Sequence, residues 1–219
     1  MKIGIKYVLN KINVFFVLYL LVLCICIVIK AIFTREEIYF AVNSHYSIGA
    51  DVFFSWFTNI GDGLTTVGVI LLLLMFYSYR KAFLLATSYA ITSLFAQVLK
   101  HIFDAPRPKA YFGMQLDHIH FAEGVKIYTL HSFPSGHSVT VFSTALVLAY
   151  FSRNKMLSVL LLLTAVLTGF SRMYLSEHFF EDVIAGSAVG VMVTLLWLSF
   201  MDNYKFLHSE KWSKALLKR

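Results

Sequence analysis

Six long apolar stretches constrain the fold of this chain more than any other sequence feature. A helix needs about 20 mostly apolar residues to cross a bilayer, and within a bilayer the chain must satisfy its backbone hydrogen bonds internally, as a helix does. The stretches run approximately from Val14 to Phe33, Leu64 to Tyr79, Ala82 to Phe103, Ser138 to Phe151, Met156 to Phe170 and Val183 to Met201. They predict an all-α fold, an integral membrane bundle of six transmembrane helices.

Composition places the chain in the same class. Of its 219 residues 58% are hydrophobic and only 14% are charged, and the mean hydropathy is +0.71, which excludes an ordinary soluble domain. The length fits a single membrane-embedded domain over residues 1–219. Several stretches are short, so we expect the second to extend back toward Phe57, the fourth to begin within Pro134–His137, and the sixth to start near His178.

The basic residues predict the orientation of the bundle. Short cytoplasmic loops carry an excess of Lys and Arg, and with six spans twelve of the 19 basic residues fall on one side. These are Lys2, Lys6, Lys11, Arg80, Lys81, Arg153, Lys155, Lys205, Lys211, Lys214, Lys218 and Arg219. Both termini are therefore predicted to be cytoplasmic, and this topology explains most of the net charge of +7 without a nucleic acid partner. The longest extramembrane segments, Thr34–Gly63 and Asp104–Phe133, then lie outside.

Three polar clusters interrupt the apolar sequence, at Lys100–Pro108, Pro134–His137 and Ser171–Asp182. In the six-span topology all three open on the membrane face opposite the termini. Charged groups at the ends of spans are costly to place and usually serve a function. Together the clusters supply two histidines, a carboxylate and three cations, which are the groups that a phosphoryl-transfer site needs.

The third cluster contains a histidine and an aspartate four residues apart. If the sixth helix starts just before His178, then His178 and Asp182 share one helix face, and the carboxylate can accept the Nδ1 proton of the ring. Nε2 is then free to attack, as covalent catalysis requires. Taken alone, the spacing favours an ordinary histidine at a helix start beside a capping acid.

The second cluster leads into a helix. Exposed N–H groups after Pro134, with the Ser135 hydroxyl and the helix dipole, predict a cradle for an anion. Gly136 allows the backbone to approach an oxyanion closely, and His137 would stand beside the bound group as a general acid for the departing oxygen. By itself, this cluster fits a serine N-cap and a turn glycine better.

The first cluster contributes cations. Its Lys100 and Arg107 offer fixed positive charge to phosphoryl oxygens, as does Arg172 from the third cluster. An arginine binds these oxygens through a planar guanidinium fork, whereas a lysine acts as a point charge. Separately, Lys100 fits snorkelling at the membrane interface and Arg107 fits a loop charge. A purely structural explanation must, however, account for all three clusters on one side of the membrane.

The three clusters together resemble the complete signature of the type 2 phosphatidic acid phosphatases. The pattern is K-x6-RP from Lys100 to Pro108, PSGH from Pro134 to His137, and SR-x5-H-x3-D from Ser171 to Asp182. The order and internal spacing fit without a gap, and the six-span layout extends the resemblance over nearly the whole chain. That superfamily also includes vanadium haloperoxidases and bacterial acid phosphatases.

The resemblance implies a metal-independent lipid phosphatase with no cofactor. In the family, the histidine matching His178 attacks phosphorus to form a phosphohistidine, supported by the acid matching Asp182. The histidine matching His137 protonates the leaving oxygen and then activates water. The residues that would hold the phosphoryl oxygens are Lys100, Arg107, Ser135, Gly136 and Arg172. The implied substrate is a polyprenyl pyrophosphate, lipid A or a glycerophospholipid phosphate at the extracytoplasmic face of the inner membrane.

Two other functions are compatible with the sequence. A phosphotransferase would use the same phosphohistidine but pass the group to an acceptor other than water. A non-enzymatic lipid-binding or transport protein would need the cations without both histidines. In the outer loop, His118 and His120 are one residue apart, as in some zinc sites, but loop histidines are more often surface groups, so we predict no metal site. His131 is close enough to the site to contact a headgroup.

Overall fold

The computed structural model describes residues 4–113, 119–152 and 154–217, and within these ranges the chain is all-helical, with no β-strand. The α-helices of the described ranges are α1 (Ile5–Lys11), α2 (Asn13–Ile32), α3 (Arg35–Asn43), α4 (Ile48–Phe57), α5 (Gly63–Phe76), α6 (Tyr79–Phe103), α7 (Pro108–Phe112), α8 (Gly136–Phe151), α9 (Lys155–Tyr174), α10 (Phe180–Met201) and α11 (Glu210–Ser213). Short 3-10 turns occupy Thr58–Gly61 and Lys205–His208. The predicted all-α fold class is confirmed.

Helix length and apolarity identify the candidate membrane spans. In the described part of the chain, α2, α6, α9 and α10 are each long and apolar enough to cross a bilayer. Helices α4 and α5 pass the same test only together, as a pair bent by 54°, and α8 is a shorter apolar helix of 16 residues. Each of the six predicted stretches is thus largely helical. The integral membrane character is confirmed, whereas the number of crossings stays a prediction.

The observed helix starts lie close to the predicted ones. Ser135 is the N-cap of α8, so the fourth stretch begins within the PSGH cluster. The second stretch reaches back toward Phe57, but through a bend, because Asp62 caps a new helix. The sixth begins at Phe180, two residues after His178. Because α10 starts after His178, this histidine and Asp182 meet across the helix start.

Two glycines allow α10 to approach α8 closely. A Cβ on Gly186 would lie 2.6 Å from the Ser135 carbonyl oxygen, and a Cβ on Gly190 would lie 2.6 Å from the Val139 carbonyl oxygen. The four-residue spacing is the small-xxx-small pattern by which membrane helices pack through their backbones. This close contact fixes the start of α8 against the start of α10, where two of the polar clusters lie.

A buried carboxylate ties three helices together at the opposite end of the bundle. Asp202, which is 0% exposed, follows α10. It accepts hydrogen bonds from Arg80 Nε at 2.8 Å and from Tyr150 OH at 2.5 Å. Arg80 falls between the second and third predicted apolar stretches, but in the structure it belongs to the first turn of α6. These contacts hold α6, α8 and α10 together at the end of the bundle away from the polar clusters. We call the three residues Arg80, Tyr150 and Asp202 the clamp.

Replacing Asp202 with Asn should lower thermal stability without touching the polar clusters. The substitution removes the charge that Arg80 and Tyr150 share, and hydrogen bonds to a charged group contribute about 2 kcal/mol. For a chain of this size we expect Tm in detergent to fall by roughly 4–8 °C. The control is Glu210→Gln, because Glu210 is 85% exposed in its pair with Lys214 and such surface pairs contribute little. Equal Tm values for the two variants would show that the clamp does not stabilise the bundle.

Candidate active site

The three polar clusters meet at one end of the bundle. The C-terminal ends of α6 and α9 carry Lys100 and Arg172, while the first turns of α8 and α10 carry His137 and Asp182. The two helix starts are joined directly, because the Ser135 N–H donates to the Asp182 carbonyl oxygen at 2.9 Å. The cations of the clusters act electrostatically on both histidines of the signature. The structure therefore brings the predicted site residues into one place.

The His178 ring is held by a carboxylate and a hydroxyl. Its Nδ1 lies 3.4 Å from Asp182 Oδ2 and 3.3 Å from Ser132 Oγ, and Ser132 donates to the same carboxylate oxygen at 2.5 Å. The predicted shared helix face is not observed, because α10 begins only at Phe180 and the histidine lies in the preceding loop. Asp182 instead reaches back across the helix start, where it also accepts the Phe179 N–H at 2.9 Å. The aspartate therefore caps α10 and faces the ring.

Burial and neighbouring cations keep the His178 ring neutral. The residue is only 1% exposed. Burial, followed by the charges of Arg107 and Arg172, holds the pKa of His178 well below its usual range, since both disfavour the charged ring. A neutral ring whose Nδ1 has partners keeps its Nε2 lone pair available. The ring is thus in the protonation state that a nucleophile needs at neutral pH.

Glu177, which is not among the predicted site residues, bridges the two predicted phosphate-binding arginines, Arg107 and Arg172. Its Oε2 accepts a hydrogen bond from Arg107 Nη1 and lies 3.3 Å from Arg172 Nη2. All three residues are buried, with Glu177 only 1% exposed. One carboxylate cannot neutralise two guanidinium groups, so positive charge is left over for an anion. The sequence contained a signal for Glu177, because this carboxylate directly precedes His178, the candidate nucleophile.

One donor of Arg172 has no partner among the residues that the structure describes. Its Nη1 donates to Thr58 Oγ1 at 2.8 Å, whereas its Nε is buried and finds no hydrogen-bond acceptor among the described residues. Buried unpaired donors are costly and rare in native structures. A phosphoryl oxygen would satisfy this N–H, so the orphaned group supports an anion site. No sequence signal pointed to Thr58, which reaches the site because the 3-10 turn bends the chain between α4 and α5.

Backbone carbonyls of the segment before PSGH orient the cations of the first cluster. Arg107 Nε donates to the Leu130 carbonyl oxygen at 3.1 Å, and Lys100 Nζ donates to the His131 carbonyl oxygen at 3.1 Å. The Arg107 N–H donates to the Thr129 carbonyl oxygen at 2.8 Å. Long basic side chains are thereby held in defined positions, which is what electrostatic stabilisation of a transition state requires.

The PSGH cluster provides part of the predicted anion cradle. The Ser135 N–H is not free, because it donates to the Asp182 carbonyl oxygen. The N–H groups of Gly136 and His137, in the first helical turn, have no intrahelical acceptor. Together with Lys100, these two residues line a cavity of about 210 Å³ between the start of α5, α6 and α8. His137 therefore borders a space that can receive a leaving group.

The loop histidines have partners of their own. His120 Nε2 lies 2.9 Å from Asp51 Oδ2, an interaction that anchors the loop to α4. The ring of His131 pairs with Asp104, its Nδ1 lying 3.1 Å from the carboxylate. His118, the other histidine of the zinc-like pair, lies outside the described residues.

Known proteins resemble this chain in sequence and in fold. Residues 81–206, which include every predicted site residue, match the PAP2 superfamily. The chain is 30% identical to phosphatidylglycerophosphatase B of Bacillus subtilis over 171 residues, covering 68% of this chain and 78% of the relative. It is also 30% identical to an undecaprenyl-diphosphatase of Sulfolobus acidocaldarius over 198 residues, covering 86% of this chain and 89% of the relative. The crystal structure of Aquifex aeolicus LpxE has a TM-score of 0.66 and 26% identity, covering 75% of this chain and 94% of that one.

The helical membrane fold, the histidine and cation site and these relatives define the class of the protein as a membrane-embedded lipid phosphatase. The chain belongs to the PAP2 superfamily.

Replacing Glu177 with Gln should make stability strongly dependent on phosphate. Breaking a buried ion pair from one side costs about 3–5 kcal/mol, because the remaining charges stay buried and unpaired. Without phosphate, we expect the variant to have a lower Tm than the wild type. Inorganic phosphate should then raise Tm more in the variant, since the anion takes over the place of the carboxylate. Thermal unfolding in detergent over a phosphate titration measures both effects.

The matched control for this experiment is Asp202→Asn, which disturbs a buried ion pair far from the clusters. It should lose stability without gaining any extra response to phosphate. An equal phosphate-induced rise of Tm in Glu177→Gln and wild type would show that Glu177 does not share the anion site.

Proposed function

We propose that the protein removes phosphate from the phosphomonoester or pyrophosphate headgroup of a membrane lipid, without a metal and through a phosphohistidine at His178. The observation that carries the proposal is a neutral, buried histidine ring set beside two arginines, with one guanidinium N–H of Arg172 that has no acceptor in the part of the chain that the structure describes. Phosphoryl transfer without a metal needs a placed nucleophile and fixed positive charge for the phosphoryl oxygens. The buried His178 ring and the neighbouring guanidinium groups of Arg107 and Arg172 support these two roles.

In the first step, the Nε2 lone pair of His178 forms a bond to phosphorus as the bond from phosphorus to the leaving oxygen breaks. The three cations of the first and third clusters stabilise the charge on the phosphoryl oxygens. The negative charge of the bound phosphoryl group offsets the neighbouring cations, so that His137 can carry a second ring proton, which it donates to the leaving oxygen. The Asp182 carboxylate stabilises the positive charge that the phosphorylated ring carries at its Nδ1–H side.

In the second step, water hydrolyses the phosphohistidine. His137, which has lost its proton, accepts one from the attacking water as the water oxygen bonds to phosphorus. The electrons of the phosphorus–nitrogen bond return to Nε2 of His178. Inorganic phosphate leaves, and both rings regain their starting protonation states.

The position of the site and the names of the relatives both favour a lipid substrate. The site is at the ends of the candidate spans, which in a bilayer would bring it to the level of the lipid headgroups. Two relatives are named for phosphatidylglycerophosphate and undecaprenyl diphosphate, and we propose a lipid phosphate or diphosphate of this kind, with lipid A as a further candidate. Six spans with cytoplasmic termini would put the site on the extracytoplasmic side of the inner membrane.

Replacing His178 with Ala should abolish phosphate release. Loss of the nucleophile should lower kcat by at least about 10³-fold, while His45→Ala, at an exposed loop histidine, should keep full activity. The assay uses detergent-purified protein with a chelator and a panel of polyprenyl pyrophosphate, lipid A, phosphatidic acid and phosphatidylglycerol phosphate. Persistent release by the His178 variant would overturn the mechanism. Transfer of phosphate to another alcohol, in place of release, would identify a phosphotransferase.

Replacing His137 with Ala should separate its two roles. With a lipid phosphate, whose alkoxide needs a proton to leave, we expect turnover to fall by about 10²–10⁴-fold. With an activated aryl phosphate, whose leaving group needs no proton, the first turnover should stay within about tenfold of wild type. Hydrolysis of the phosphohistidine would then limit later turnovers, giving a burst of aryl alcohol in stopped-flow measurements. An equal loss in the first turnover with both substrates would argue against general acid catalysis by His137.

A further inference from the structure

Ser132 lies between the Asp182 carboxylate and the His178 ring, although the mechanism above gives it no role. The residue is 0% exposed. Its Oγ lies 2.5 Å from Asp182 Oδ2 and 3.3 Å from His178 Nδ1. A buried hydroxyl that contacts both members of a histidine and carboxylate pair can determine where the protons of that pair lie.

The backbone holds Ser132 independently of α10. The Ser132 N–H donates to the Ala105 carbonyl oxygen at 2.9 Å, in the link between α6 and α7. The two residues before it offer their carbonyl oxygens to Lys100 and Arg107. The hydroxyl is therefore placed by the same segment that places two of the cations.

We propose that Ser132 is a positioning residue that sets the tautomer and the direction of the His178 ring. The inference rests on the proposed attack by His178. An ionised carboxylate only accepts hydrogen bonds, so the one hydroxyl hydrogen of Ser132 goes to Asp182. The serine oxygen can then only accept from Nδ1, which must carry the ring proton. With the proton on Nδ1, the lone pair is on Nε2.

Asp182 alone holds the ring weakly. Its Oδ2 is 3.4 Å from Nδ1, whereas charge-assisted hydrogen bonds between nitrogen and a carboxylate are typically about 2.7–2.9 Å long. The carboxylate oxygen is also shared with the Phe179 N–H and the Ser132 hydroxyl. The hydroxyl therefore supplies the second contact that fixes the plane of the ring.

The test compares Ser132→Ala with Ser143→Ala. Ser143 is also buried, 1% exposed, and accepts a hydrogen bond from Thr194 Oγ1 at 2.7 Å, but it lies between α8 and α10 away from the clusters. For Ser132→Ala we expect kcat to fall by about 10–100-fold, because small misplacements of a reacting group are that costly. KM should stay within about twofold, since the hydroxyl does not contact substrate. Ser143→Ala should leave both parameters near wild type.

Two further measurements distinguish positioning from structural damage. ¹⁵N spectra of histidine-labelled protein should show the Nδ1–H tautomer for His178 in the wild type and in Ser143→Ala, and a mixture of tautomers in Ser132→Ala. The rise of Tm with inorganic phosphate should be unchanged in Ser132→Ala, showing that the anion site is intact.

A kcat for Ser132→Ala equal to that of Ser143→Ala would overturn the inference, and so would loss of the phosphate response. Full activity of His178→Ala would instead refute the proposed function, and the inference with it. Inactivity of His178→Ala together with a fully active Ser132→Ala would refute only the role of Ser132.

Discussion

The sharing of one carboxylate by two buried arginines is the interaction on which the rest of the structure depends. Arg107 and Arg172 are 8% and 6% exposed, and Glu177 lies between them. Charges at the end of a membrane bundle are tolerated only when they are paired or hydrogen-bonded. Because a single carboxylate serves both guanidinium groups, the arginine pair keeps one uncompensated positive charge. A phosphoryl group would compensate it, so binding of phosphate would also stabilise this part of the fold.

This charge arrangement requires helix ends that do not move relative to one another. Gly186 and Gly190 bring α10 against the backbone of α8, which fixes the distance between the PSGH turn and Asp182. The bend between α4 and α5 brings Thr58 to Arg172. The segment before PSGH offers its carbonyl oxygens to Lys100 and Arg107. Each cation is thus oriented by a backbone carbonyl or a hydroxyl group.

The sequence was sufficient for the helical membrane class and for the signature residues, because apolar length and motif spacing are local properties. It was not sufficient for the contacts that connect the motifs. Ser132 meets Asp182 across 50 residues, and Arg107 meets Glu177 across 70, so neither pairing follows from local spacing. The histidine and aspartate pair was expected on one helix face, but the helix starts later, and Asp182 reaches His178 by capping α10. The spacing of Gly186 and Gly190 is a sequence signal for close packing of α10 against another helix.

The two ends of the bundle show how a structural ion pair differs from a functional one. At the clamp, Asp202 meets two donors of Arg80 and the hydroxyl of Tyr150, so the buried carboxylate is fully engaged. At the polar clusters, the Arg172 Nε is buried without an acceptor among the described residues. A protein selected only for stability has no reason to keep such a donor, because burying it unpaired costs free energy. A ligand that arrives with its own oxygen would satisfy this N–H, whereas the Asp202 carboxylate of the clamp already has its donors.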